Sequence, residues 1–177
     1  MTKEKKINIF IVDDNKIFSI ALKAQIETSF IKKPIKVYSF ETGEACMKKF
    51  KEEEPQLVIL DYHLNSNIPD AADGIKVLDW IKKKNSETNV IMLTSDDHID
   101  IAVKSFKHGA SDYVVKTETQ FKKINYSLLN LFKMIEAKVE ARRYKYIITG
   151  LGIGFALFVA GIIVIHIFRP SLLILPN

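Results

Sequence analysis

Residues 57–60, Leu-Val-Ile-Leu, form an apolar run without alternation that ends at a carboxylate, Asp61. Such a run is typical of a strand buried on both faces, as found in the parallel sheets of α/β proteins. Residues 7–12 form a second strand-like run, which ends at Asp13 and Asp14. In open α/β sheets, ligands bind at the carboxyl ends of the strands. The sequence therefore predicts a sheet that brings several carboxylates to one edge.

Strand-like and helix-like segments alternate along most of the chain. Apolar residues recur at helical spacing between the strands, and Gly109 occupies a typical position for ending a helix. This alternation predicts an α/β fold with a parallel sheet flanked by helices. The predicted strands are residues 7–12, 35–40, 57–60, 90–93 and 113–115; the predicted helices are residues 15–30, 42–50, 74–84 and 99–106, with a solvated turn at 52–55 and a long helix from Phe121.

The positive charge of the chain is concentrated in one segment. The formal net charge is +5, but residues 1–119 carry 18 Lys against 19 acidic residues, whereas residues 120–146 carry seven Lys or Arg against two Glu. A nucleic-acid-binding domain would carry the basic face on its folded module, so we expect no nucleic-acid partner. The only cysteine, Cys46, excludes an intramolecular disulfide and is expected to be a small core residue.

Residues 147–168 contain no Asp, Glu, Lys or Arg and include 14 Leu, Ile, Phe or Val residues. As a helix they would be roughly 33 Å long, and their side chains would favour membrane insertion by about 4 to 8 kcal/mol. We predict a single transmembrane helix, with a buried core helix as the alternative. The preceding residues 131–146 would be a basic helical linker that contacts anionic lipid. Positive charge before the span places the globular part in the cytoplasm at the cell inner membrane, with residues 169–177 as a short non-cytoplasmic tail.

The predicted strand ends carry a set of groups suited to phosphoryl chemistry. They are Asp13 and Asp14, Asp61, the hydroxyl of Thr94 and the ammonium of Lys116. Crowded carboxylates repel each other and attract a hard cation such as Mg²⁺. A carboxylate beside Mg²⁺ can attack phosphorus, while a hydroxyl and an ammonium bind the phosphoryl oxygens. The set therefore predicts Mg²⁺-dependent phosphoryl transfer.

Residues 7–130 resemble the receiver domain of two-component response regulators. The matching motifs are Ile-Phe-Ile-Val-Asp-Asp at 9–14, Val-Ile-Leu-Asp at 58–61, Asp-Gly at 73–74, Met-Leu-Thr-Ser at 92–95 and Gly-Ala-Ser-Asp-Tyr-Val-Val-Lys at 109–116. The resemblance implies a receiver domain over residues 1–130. It implies a doubly wound, flavodoxin-like fold with five parallel strands in the order 2-1-3-4-5.

The resemblance also implies roles for individual residues. Asp61 would accept a phosphoryl group from a histidine kinase, a phosphotransfer protein or a small phosphodonor, and Lys116 would pair with the phosphate. The domain would catalyse only its own phosphorylation and slow dephosphorylation, and is not expected to be an enzyme otherwise. The implied Mg²⁺ ligands are Asp14, Asp61 and the backbone carbonyl of His63, with Asp13 acting through water; the implied switch pair is Thr94 and Tyr113.

The chain departs from the family pattern at two places. Thr117 follows Lys116 where the family usually has Pro, often with a cis bond; a cis bond before Thr would cost about 2.5–4 kcal/mol, so we expect trans. The loop between Asp61 and Gly74 is longer than usual, and we hypothesise that it slows dephosphorylation. A further hypothesis is that the His63 side chain, together with Asp96, tunes the lifetime of the phosphoryl group.

Three functions are compatible with these features. The first is a membrane-anchored, single-domain response regulator that signals through a phosphorylation-dependent protein-binding surface to an unknown partner. The second is a constitutive docking module that the span merely holds at the membrane. The third is a haloacid-dehalogenase-like phosphatase, which is disfavoured because Asp13-Asp14 is followed by Asn15 rather than forming Asp-x-Asp. Gly150 and Gly154 form a GxxxG motif in the span, which adds the hypothesis of a homodimer.

Overall fold

The computed structural model describes residues 6–64 and 72–168, with the side chains of residues 167 and 168 excluded. The chain divides into two compact units, Met1–Leu131 and Phe132–Asn177. The predicted tail at 169–177 and most of the long loop, including Pro69, lie outside the described residues.

Unit Met1–Leu131 is built on a five-stranded parallel sheet. Neighbouring strands follow the order β2-β1-β3-β4-β5, which confirms the predicted fold and strand order. The strands are β1 (Ile7–Val12), β2 (Ile35–Phe40), β3 (Leu57–Asp61), β4 (Asn89–Thr94) and β5 (Asp112–Val115).

Helices connect the strands. Polar side chains cap the N-termini of three of these helices. The helices are α1 (Lys16–Ser29), α2 (Gly43–Glu53), α3 (Gly74–Lys84), α4 (Ile99–Lys107) and α5 (Gln120–Phe168). Asn15, Thr42 and Asp73 each accept a hydrogen bond from a backbone N–H in the first turn of α1, α2 and α3. His98 at the start of α4 makes no such bond. After α4, Gly109 has a positive φ of 95°, as expected for a glycine that ends a helix.

Helix α2 is longer than the sequence pattern predicts. The acidic run at 52–55 was expected to form a solvated turn, but α2 continues to Glu53 and ends with Glu54 in a left-handed conformation, φ 43°. Two of the acids are held by neighbours: Lys49 Nζ lies 2.8 Å from Glu52 Oε2, and Tyr38 donates a hydrogen bond to Glu53. One partner within α2, Lys49, and one from β2, Tyr38, therefore favour a continued helix over the predicted turn.

The central strands form the core. Every side chain of Ile9–Val12, Leu57–Leu60 and Val90–Leu93 has no exposed surface. This total burial explains why those runs lack polar alternation, since helices cover both faces of the sheet. Cys46 is also fully buried, which confirms its predicted place in the core.

Helix α5 runs unbroken from Gln120 to Phe168 and belongs to both units. Within the first unit, Ile124, Leu128 and Leu131 are buried, as their heptad-like spacing predicts. Within the second unit, residues 147–166 are exposed along the whole helix. Among the described residues, α5 is the one helix long and apolar enough to cross a membrane, by length and composition.

The burial of Cys46 leads to a prediction about its reactivity. Burial raises the pKa of the Cys46 thiol from 9.0 to about 12, so in the folded chain the thiol stays protonated while the unfolded chain ionises near 9.0. Between pH 9.0 and about 12 the unfolded chain loses this proton while the folded chain keeps it, so the free energy of unfolding falls as the pH rises through that range. Below pH 9.0 the thiol is protonated in both states and the folded chain is not penalised.

We therefore expect alkylation of Cys46 by iodoacetamide at mildly alkaline pH to be about two orders of magnitude slower in the native chain than in urea. The measurement is the labelling rate by intact mass. Native labelling as fast as unfolded labelling would contradict this assignment.

Candidate functional site

Three carboxylates meet at the carboxyl edge of the sheet. Asp61 is the last residue of β3, and Asp13 and Asp14 follow β1 directly. Because Val12 pairs with Leu60, the residues that follow these two positions lie side by side. One oxygen from each of the three carboxylates lies within 4.8 Å of the others. The structure thus brings together the three acids that the sequence singled out.

Lys116 crosses from β5 to reach this cluster. Its Nζ donates to Asp13 Oδ2 at 2.7 Å and to Asp61 Oδ2 at 2.8 Å. The Lys116 side chain is 16% exposed, and those of Asp13 and Asp61 are 0% and 6% exposed. One ammonium is therefore shared by two buried carboxylates, while Asp14 lies at the exposed side of the cluster.

The electrostatics of this group follow from its burial. Burial raises the pKa of Asp13, and the hydrogen bond from Lys116 offsets only part of that rise. Burial by itself would lower the pKa of Lys116, but its hydrogen bonds to Asp13 and Asp61 outweigh that effect, so the pKa is raised. Lys116 therefore stays charged at neutral pH. One positive charge facing three carboxyl groups leaves negative charge for a further cation.

The donor set fits Mg²⁺. Carboxylate oxygens are the ligands this ion prefers, and the exposed position of Asp14 leaves room for its water molecules. Backbone N–H groups orient the carboxylates: Asn15 N–H donates to Asp13 Oδ1 at 2.9 Å, and His63 N–H approaches Asp61 Oδ1 at 3.4 Å. The role of the His63 carbonyl as a ligand stays a prediction.

Gly74 holds the backbone of the Asp61 strand end, a role that the sequence pattern alone does not reveal. A Cβ atom at Gly74 would lie 2.3 Å from the backbone oxygen of Asp61 and 2.7 Å from the Cα of Tyr62. The Gly74 N–H also donates to the Tyr62 carbonyl at 3.0 Å. Only glycine allows the first turn of α3 to pack this closely on β3.

The proposed switch residues are joined through Asp96, a residue that sequence analysis named only as a partner of His63. Thr94, fully buried at the end of β4, accepts a hydrogen bond at its Oγ1 from the Asp96 N–H at 3.1 Å. The Tyr113 hydroxyl donates to the Asp96 carbonyl at 2.9 Å. Tyr113 is half-buried against the core, and this burial raises its pKa. Both predicted switch residues thus form hydrogen bonds to the loop that leads into α4.

The Asp96 side chain makes the third contact of this group. His63 Nε2 lies 2.7 Å from Asp96 Oδ2, and the Tyr62 ring packs edge-on against the His63 ring at 4.8 Å. The pair connects the loop after β3 with the loop after β4. Contact between His63 and Asp96 was part of the hypothesis on phosphoryl lifetime, and their effect on that lifetime stays a prediction.

The Lys116 segment keeps a regular backbone although proline is missing. The described chain has no cis peptide bond, so the bond before Thr117 is trans, as expected. The Lys116 N–H donates to the Thr94 carbonyl at 2.7 Å, which extends the pairing of β4 and β5 to the residue that carries the ammonium.

Comparison with known proteins assigns this architecture. The family described as "Response regulator receiver domain" matches residues 9–125. A protein named "Probable C4-dicarboxylate response regulator DctR" from Bacillus subtilis is 33% identical over 99 residues, which are 56% of this chain and 41% of that protein. The regulatory protein LuxO of Vibrio cholerae is 33% identical over 75 residues, which are 42% of this chain and 15% of LuxO. The matches therefore span less than half of either relative.

Solved structures show the same fold. The signal receiver domain of a protein described as a LuxO repressor from Vibrio parahaemolyticus superposes with a TM-score of 0.64 at 27% identity, covering 76% of this chain and 95% of that domain. Response regulator DrrB from Thermotoga maritima superposes with a TM-score of 0.62 at 27% identity, covering 73% of this chain and 54% of DrrB. The family match extends over most of the chain and includes the acidic cluster, Thr94 and Lys116. This chain therefore belongs to the response regulator receiver domain family of two-component signal transduction.

Proposed function

We propose that the chain is the receiver part of a membrane-anchored response regulator and that it is phosphorylated on Asp61. The observation that carries the proposal is the sharing of the Lys116 ammonium between Asp13 and Asp61, at 2.7 and 2.8 Å. This arrangement places a cation beside the nucleophile, where the charge of a transferred phosphoryl group would develop. The donor would be a histidine kinase, a phosphotransfer protein or a small phosphodonor.

In the proposed reaction, one carboxylate oxygen of Asp61 attacks the phosphorus of a phosphohistidine. A new oxygen–phosphorus bond forms while the phosphorus–nitrogen bond breaks, and its electron pair returns to the donor imidazole. Bound Mg²⁺, held by Asp14, Asp61 and the backbone carbonyl of His63, with Asp13 acting through water, would supply neutralisation of negative charge at this edge. Lys116 would exchange its contact with the Asp61 carboxylate for one with a phosphoryl oxygen, while retaining Asp13.

The proposed signal passes through Thr94. In this proposal the Thr94 side chain rotates toward a phosphoryl oxygen and thereby breaks the bond between Thr94 Oγ1 and the Asp96 N–H. The carbonyl of the same residue holds Tyr113, so release of this loop and movement of Tyr113 would be linked. The loop leads to α4, whose exposed apolar side chains are Ile99, Val103 and Phe106. We propose that this surface changes its affinity for a partner protein.

The proposed anchor is the apolar part of α5. Residues 147–168 contain no Asp, Glu, Lys or Arg, whereas residues 131–146 carry five Lys or Arg against two Glu. An exposed apolar helix of this length finds a suitable environment in the hydrocarbon core of a membrane. The charge bias favours the cell inner membrane with the receiver domain in the cytoplasm and residues 169–177 on the other side. Homodimerisation through the Gly150–Gly154 motif is part of the same proposal.

The first prediction from the proposed function concerns the phosphoryl acceptor. Wild-type chain incubated with acetyl phosphate and Mg²⁺ should gain one phosphoryl group, detected by intact mass and removed by hydroxylamine, as acyl phosphates are. Asp61→Asn should gain none, because the amide is not a nucleophile toward phosphorus. Asp97→Asn, on the exposed loop after β4, is the matched control and should behave as the wild type.

Cross-linking of the membrane-inserted chain to its neighbours distinguishes the phosphorylation-dependent regulator from the constitutive docking module. A phosphorylation-dependent regulator should change its cross-linking pattern with phosphodonor and Mg²⁺, and Asp61→Asn should abolish that change. Identical patterns in all conditions would instead favour the constitutive docking module.

The second prediction concerns the metal. Mg²⁺ at ten times its dissociation constant should raise the free energy of unfolding by about 1.4 kcal/mol, measured by urea titration. Asp14→Asn should lose most of this increase because it removes a ligand without disturbing the core. Asp100→Asn in the first turn of α4 is the control and should keep the increase. Equal stabilisation of all three chains would refute the proposed site.

The third prediction concerns the span. Leu157→Lys with Phe158→Lys should cost about 5–7 kcal/mol near the centre of a span, enough to offset most of the favourable insertion energy. The wild type should remain in the membrane pellet after alkaline carbonate extraction, and the double variant should not. Met134→Lys with Val139→Lys, both at exposed positions of α5, is the control that should stay in the pellet. Release of wild type by carbonate would exclude the anchor.

A further inference from the structure

An aromatic pair lies beside the Lys116 ammonium. Lys116 Nζ lies over the face of the Phe18 ring, 4.9 Å from the ring centroid. This distance is within the about 6 Å over which a cation is attracted to a ring face. Phe121, in the first turn of α5, stacks on Phe18 with centroids 5.7 Å apart and ring planes inclined by 15°. Lys116 therefore contacts two carboxylates and one aromatic ring.

Phe18 stands at the margin of the core. The buried residues of α1 are Ser19, Leu22 and Ile26. Phe18 lies one helical turn before Leu22 and is only half-buried, as is Phe121. The Phe18 ring thus lies beside the acidic cluster, at the margin of the core and not inside it.

The position of Lys116 needs such support. Its flexible stem carries an ammonium with two nearly equivalent partners, Asp13 and Asp61. When Asp61 becomes an acyl phosphate, Asp13 remains as a competing carboxylate that could draw the ammonium away. The backbone after Lys116 lacks the φ restriction of a proline because Thr117 follows. A ring beside the ammonium restricts it from a third side without adding a competing negative charge.

We infer that Phe18 is a positioning residue that holds the Lys116 ammonium between Asp13 and Asp61, and that Phe121 supports the Phe18 ring. The inference rests on the proposed function only in its kinetic consequence, which requires that Asp61 is phosphorylated. The restriction of Lys116 itself does not depend on phosphorylation.

The test replaces Phe18 in the full-length chain with phenylalanines that carry one, two or three ring fluorines. Fluorine withdraws electron density from the ring face and weakens cation–π attraction stepwise while ring shape is nearly kept. Two quantities are measured: the rate of Asp61 phosphorylation by acetyl phosphate with Mg²⁺, and the mobility of the Lys116 Cε methylene by ¹³C NMR relaxation. Tyr and Trp at position 18 keep an aromatic face, whereas Leu keeps only apolar volume.

We expect the rate to fall progressively with fluorination, by about 3- to 10-fold in total, and Phe18→Leu to fall at least as far. Phe18→Tyr and Phe18→Trp should stay close to the wild type. Lys116 mobility should rise in the same order. The same fluorinated residues at Phe50, a buried core position in α2, serve as the control and should leave both quantities unchanged.

If the wild type is phosphorylated, an equal phosphorylation rate across the fluorinated series would overturn the inference. Unchanged mobility of the Lys116 side chain across the series would overturn it whether or not the chain is phosphorylated. If the wild type accepts no phosphoryl group while Lys116 mobility follows the series, the proposed function fails and the positioning of Lys116 by Phe18 is upheld.

Discussion

The structure of the site depends on one ammonium group shared by two buried carboxylates. Asp13 and Asp61 have almost no exposed surface, and a buried carboxylate without a partner is strongly unfavourable. Lys116 supplies that partner at 2.7 and 2.8 Å. Because Asp13 follows β1, Asp61 ends β3 and Lys116 follows β5, their ion pairs connect the centre of the sheet with its edge strand. The same contacts place a cation beside Asp61, which is the basis of the proposed phosphoryl transfer.

The second organising contact is the Asp96 backbone. Its N–H donates a hydrogen bond to Thr94 Oγ1, and its carbonyl accepts one from the Tyr113 hydroxyl. One residue therefore connects the buried site with the loop that leads into α4. These two hydrogen bonds are the contacts that the proposed signal would rearrange, and their rearrangement can be measured.

Helix α5 joins two environments within one element. Its first turns contribute buried Ile124 and Leu128 to the receiver domain, whereas residues 147–166 are exposed and apolar. The first part satisfies its apolar side chains against the domain core. The second part is long and apolar enough to cross a membrane, by length and composition, and is the segment of the proposed anchor. Both properties are local ones that are encoded by composition.

The sequence by itself determined the fold class and indicated the acids that the structure brings together at the sheet edge. Runs without polar alternation marked the buried strands, and the groups that end them belong to one sheet edge by the rule for parallel sheets. The extent of α2 was not predicted because a hydrogen bond from Tyr38 in β2 helps to stabilise its last turn.

Only the tertiary structure decided which site residues touch. Lys116 and Asp13 are separated by 103 positions in sequence, and the fit of Gly74 against Asp61 and the placement of Phe18 beside Lys116 depend on register and packing. Spacing along the chain does not encode such distances, since they arise only when elements remote in sequence pack together.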